Sequence, residues 1–122
     1  MMSCSTNLKF ANSEAVPAAR GKVKVDKDNN GNYALDLNIL HLTEPSRLHP
    51  SKNVYVIWMD TDDNGIKNLG QLKSGTSFFS STLKASFHTV TSFTPKRIFI
   101  TAEDDADIQT PGSQVILTTN SR

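Results

Sequence analysis

Two stretches of this 122-residue chain carry oxygen ligands at the alternating spacing that opens a calcium loop. They are Asp26, Asp28 and Asn30 ahead of Gly31, and Asp60, Asp62 and Asn64 ahead of Gly65. Hard oxygens at such positions wrap a divalent cation when a bidentate Glu closes the loop at position twelve. That position holds Leu37 in the first stretch and Gln71 in the second. Asp, Asn and Gly are equally what a tight hairpin turn demands, because Asn and Gly tolerate positive φ and Asp bonds its own backbone. Both stretches are therefore read first as turns and only second as a cation site. In an immunoglobulin-like sandwich the loops after the first, third and fifth strands share one pole. Both acidic turns and a loop expected at 86–95, holding His88, would then meet there as a composite cation or ligand site.

Other constellations fall short of a reaction. Ser81-x-x-Lys84 and Lys73-Ser74-Gly75 imitate signatures of penicillin-interacting enzymes. Their order is reversed, and that chemistry needs its serine at a helix start in a much larger fold. His41, His49 and His88 lack ligand spacing and are read as loop or surface residues. A blue-copper centre would need a late Cys, whereas the only cysteine is Cys4. Glu103, Asp104, Asp105 and Asp107 are expected to form a solvated acidic loop, with no partner placed for glycoside hydrolysis. Trp58, Tyr55 and Tyr33 could stack on a sugar, but their places inside strands favour core packing. Phe78 and Phe79 are adjacent on an expected strand, so one of them points away from the core. No nucleophile, base and orienting group assemble from the sequence. The expectation is a non-enzymatic chain without a cofactor.

The elements that must position these residues are strands. Val, Ile and Thr number 26, against 11 for Ala and Glu together. Alternation at Lys22 to Val25 marks the first strand, and Tyr33 to Leu42 the second, with Leu35, Leu37 and Ile39 on one face. Val54 to Asp60 is apolar on both faces, the mark of a covered central strand. Ile66 to Lys73, Thr76 to Ala85, Arg97 to Glu103 and Ser113 to Thr119 complete seven. The expected fold is an all-β, immunoglobulin-like antiparallel sandwich. Residues 1–18 read as an N-terminal tail, with an edge strand at Leu8 to Ala11, and residues 19–122 as a single domain. A net charge of +1 gives no broad electrostatic footprint for nucleic acid.

The run Met1-Met2-Ser3-Cys4 resembles the end of a bacterial lipoprotein signal, in which a small residue precedes a cysteine that becomes lipidated. The charged and apolar parts of such a signal are not in the sequence, and Met2 stands where Leu is commoner. The expectation is a lipid on Cys4 and a place in the bacterial cell envelope or periplasm, with a plain cytoplasmic thiol as the alternative.

Over residues 53–119 the order of short motifs is similar to one known family. They are Tyr55-x-x-Trp58-Met59, Asn68-Leu69-Gly70-Gln71-Leu72, Phe99-Ile100-Thr101-Ala102-Glu103, and Pro111-Gly112-Ser113 before Val115-Ile116-Leu117. This order resembles the extracytoplasmic domain of anti-sigma-K-type factors. The resemblance implies an extracytoplasmic β-sandwich. It does not extend to sigma-factor binding, because the family's cytoplasmic helices and transmembrane helix have no counterpart in these residues. The expected function is interaction or assembly with a protein partner in the envelope, touching the membrane only through the lipid. The alternative is a small carbohydrate- or cation-binding module working at one pole.

Overall fold

The computed structural model describes residues 4–11, 16–17, 19–43, 45–48, 50–61, 63–72 and 84–119. Within them the chain forms eight strands: β1 (Cys4–Lys9), β2 (Arg20–Lys27), β3 (Tyr33–Leu40), β4 (Val54–Thr61), β5 (Ile66–Leu72), β6 (Lys84–Thr91), β7 (Pro95–Glu103) and β8 (Val115–Thr118). They make two antiparallel four-stranded sheets, ordered β1-β2-β3-β6 and β5-β4-β7-β8. The chain crosses between sheets from β3 to β4, back from β5 to β6, and again from β6 to β7. Strand β6 pairs with β3 and not with β5. This exchange of partners between layers is that of an immunoglobulin-like sandwich.

Alternation builds the core between the sheets. Val23 and Val25 on β2, and Leu35, Leu37 and Ile39 on β3, are buried against Tyr55, Ile57 and Met59 of β4 and Ile98 and Ile100 of β7. The opposite face of β4 is also dry, as its two-sided apolar pattern predicted. Val56 and Trp58 pack there with Phe99, and Ile108 from the loop after β7 lies over them. Both turns expected from Asn-Gly are present, with Gly31 at φ 83° and Gly65 at φ 75°.

Three expectations are corrected. The first is the strand count of seven, because the N-terminal segment is built into the sandwich instead of hanging from it. Its edge strand begins at Cys4, earlier than the expected Leu8, and runs antiparallel to β2. Leu8, Val16 and Ala19 are buried in the core. Phe10 then crosses to the other sheet, bridging to Thr119 beyond β8. The signal for this was only Leu8 and Phe10 at a spacing of two in a polar stretch. The second correction is β6, which occupies residues expected as a loop. Its inward positions are Ala85, Phe87, Thr89 and Thr91, while Val90 faces outward, 59% exposed. Apart from Phe87 the inward residues are small or polar, and an apolar residue lies outside, which hides the period of two. The third is the acidic run, whose first member is buried, as described below.

Candidate functional site

The described surface is concave along β5. A groove of about 620 Å³ is lined by Ile66 to Gln71 of β5 and by Ala106, Asp107 and Gln109 of the loop after β7. Strand β5 ends its sheet and, among the described residues, pairs only with β4. That pairing breaks its register: Asn68 faces Trp58 and Gly70 faces Ile57, so Leu69 is an extra, bulged residue.

The opposing wall is held by three devices. Asn68 Nδ2 donates to the carbonyls of Ala106 and Ile108, both at 2.9 Å. Ile108 packs into the outer cluster over Trp58 and Phe99. The far end of the loop is tied to Glu103, whose Oε2 accepts from the Gly112 amide at 2.7 Å. That carboxylate belongs to a buried relay. Trp58 Nε1 donates to Thr101 Oγ1 at 2.8 Å, and Thr101 Oγ1 donates to Glu103 Oε2 at 2.6 Å. Indole is a donor only, so the Thr101 oxygen must accept from it and turn its own hydrogen to an acceptor. A Cβ on Gly112 would lie 2.8 Å from Glu103 Oε1, so the carboxylate would have to shift to admit one. The acidic run thus divides. Glu103 is buried structure, Asp104 and Asp105 are exposed, and exposed Asp107 lines the groove.

The residues singled out from sequence go elsewhere. Asp28 Oδ1 accepts from the amides of Asn30 and Asn32, at 2.8 and 2.9 Å, and so shapes its own turn. Asp26 lies on the outer sheet face, 3.8 Å from Lys24 Nζ. Asp60 stands 3.8 Å from Arg97. The Asn64 amide donates to Thr61 Oγ1 at 2.9 Å, and Thr61 Oγ1 donates to the Gly65 carbonyl at 2.7 Å. Asp62 lies outside the described residues. Among those described, no group of three His, Cys, Asp or Glu is placed to hold a metal ion.

The β2–β3 and β4–β5 turns do share an end with the β6–β7 connection. Lys67 lies 4.9 Å over the Phe93 ring, and Tyr33 Oη is 3.4 Å from Thr94 Oγ1. His88 is not in that connection. It sits on β6 opposite Asp36, with Nδ1 2.5 Å from Asp36 Oδ1. His41 is an exposed bend residue at φ 62°.

Trp58 and Tyr55 are buried, so they offer no stacking platform, and Tyr33 is half-buried beneath Lys27. Tyr55 donates its hydroxyl to the Thr43 carbonyl at 2.7 Å, and burial pushes its phenol well above the ordinary value of 10.0. Lys84 is exposed at the start of β6. His49, Lys73, Ser74, Gly75, Phe78, Phe79 and Ser81 lie outside the described residues, and of Cys4 only the backbone, opposite Lys27, is placed.

Sequence reasoning missed the groove. Asn68, a polar residue inside a short strand ahead of Leu69-Gly70, is the signal that could have marked a bulged edge with something fastened to it. No protein family, curated protein or solved structure was found to match the chain.

Proposed function

We propose that this chain is a non-catalytic interaction domain of the bacterial cell envelope, anchored by a lipid on Cys4, that grips a protein partner along β5. The carrying observation is the groove between the terminal strand β5 and the loop pinned to it by Asn68. An extended segment laid against such an edge gains main-chain hydrogen bonds, and flanking pockets read its side chains. The groove is mixed in character, with Ile66 and Leu69 beside Lys67, Gln71, Asp107 and Gln109. That composition suits a peptide better than a sugar, which would want an exposed ring. The envelope placement rests on the Ser3-Cys4 ending and on the resemblance to the outer domain of anti-sigma-K-type factors.

The test compares the wild-type chain with Gln71→Arg/Gln109→Arg, each used to recover partners from a solubilised envelope fraction. The proposal expects a protein recovered in stoichiometric amount by the wild type and lost with the groove variant, at unchanged melting temperature. Recovery indifferent to the groove substitutions would overturn it.

A further inference from the structure

The outer face of the β1-β2-β3-β6 sheet is strongly patterned in charge. The registers align its outward residues in rows that cross the strands. One row runs Arg20, Leu40, Lys84, and the next runs Lys9, Lys22, Asn38, Ser86. All seven are exposed. Among the described residues these two rows hold four cations and no carboxylate. The third row, Asn7, Lys24, Asp36, His88, holds both signs, and Asp36 is in contact with His88. Asp26 in the fourth row is beside Lys24.

Lys9 and Lys22 are direct cross-strand partners, a placement that costs stability because like charges face each other. Among the described residues neither lysine has a carboxylate partner. Adjacent strands lie about 4.8 Å apart, so the face spans roughly 14 Å from β1 to β6. The exposed carboxylates Asp104 and Asp105 directly follow β7, a strand of the other sheet. The near-neutral total of +1 therefore conceals a cationic face.

We propose that this face lies on an anionic phospholipid surface. Three observations select a bilayer over a folded acidic partner. The cations are spread over the outer face of one sheet and are not gathered in a cleft. Leu40, 41% exposed, sits in register between Arg20 and Lys84, where an apolar side chain can enter the headgroup layer while its cationic neighbours meet phosphate. Strand β1, which begins at Cys4, is an edge of this same sheet. A lipid on Cys4 would thus join the chain to the bilayer without an intervening tether and keep the face within reach of it. This last point rests on the anchoring reading above. The charge pattern and Leu40 do not.

The experiment uses the full chain without acylation, so that a failure of anchoring and a failure of this proposal are distinguishable. Sedimentation is measured with vesicles of phosphatidylcholine alone and with about one-third phosphatidylglycerol, at low and at higher salt. Binding is expected only to the anionic vesicles, and salt should weaken it as the Debye length shortens. Each Lys or Arg near such a surface is worth about five-fold in partitioning, so Lys22→Gln/Lys84→Gln should lose roughly 25-fold. The melting temperature should hold or rise, because one of two opposed lysines is gone. Asp104→Asn/Asp105→Asn raises net charge by the same amount at the end of β7, in the other sheet, and should leave partitioning within about two-fold. Equal binding to neutral vesicles, no loss with the lysine variant, or an increase with the aspartate variant as large as that loss would each overturn the proposal.

Discussion

Replacing Thr101 by Val tests the relay that fixes the wall of the groove. The two side chains have nearly the same shape, but Val carries no hydroxyl. Trp58 Nε1 loses its acceptor at 2.8 Å, and Glu103 Oε2 loses its donor at 2.6 Å, both in buried surroundings. A neutral hydrogen bond contributes about 1 kcal/mol, and one to a charged group about 2 kcal/mol. A methyl in place of the hydroxyl returns about 0.8 kcal/mol of apolar burial. The net cost is about 2 kcal/mol, or roughly 8 °C in melting temperature for a domain of this length. Thr101→Ser keeps the hydroxyl and loses only a methyl, for about 1 kcal/mol and roughly 4 °C. Thermal unfolding followed by circular dichroism and by Trp58 emission compares the two variants directly, since Trp58 is the only tryptophan. If Thr101→Val melts no lower than Thr101→Ser, the relay contributes nothing and the reasoning fails.

Other consequences follow from the same geometry. Gly112→Ala drives a Cβ onto the Glu103 carboxylate and should cost about 1–3 kcal/mol in chemical denaturation, as other overpacked sites do. Asn68→Ala removes both bonds to the loop, so amide exchange should accelerate in 104–110 and stability should fall by about 2 kcal/mol. The raised phenol of Tyr55 binds its proton more tightly folded than unfolded. Its contribution is therefore complete below about pH 10, the unfolded value, and is lost as pH rises from there towards the folded value. Melting temperatures taken from pH 8 upward should fall more steeply for the wild type than for Tyr55→Phe, which itself gives up about 1 kcal/mol with the bond to Thr43. Asp28→Ala should lower stability by about 1 kcal/mol equally with and without calcium, since Asp28 serves its own turn.

Much of the fold was legible because strand chemistry is local. The two-sided apolar run of β4, the alternation of β2 and β3, and both Asn-Gly turns follow from the residues that form them. Strand β6 was not legible, because Phe87 is the one large apolar side chain among its inward residues, beside Ala85, Thr89 and Thr91, and apolar Val90 faces solvent. The N-terminal strand was partly hidden because only Leu8 and Phe10 mark it in a polar stretch. The groove was out of reach because Asn68 marks at most a bulged edge, and no local pattern says what is fastened there. It exists only where the loop after β7 meets Asn68, 38 and 40 residues away. Glu103 shows the limit from the other side. Composition places it in an acidic, solvated run, and only the pairing of β4 with β7 sets Trp58 and Val56 beside Phe99 and Thr101 and makes it the buried end of a relay.

A photo-crosslinking scan in intact cells reads what touches the groove and the cationic face in place. A photoreactive side chain is introduced in turn at Gln71 and Gln109 in the groove, at Asn38 and Ser86 on the cationic face, and at Asn29 in an exposed turn. One protein adduct shared by the two groove positions, lipid adducts at the cationic face, and neither at Asn29 are expected. An absence of any protein adduct at Gln71 and Gln109, with a partner captured elsewhere on the domain, would contradict the proposed grip along β5.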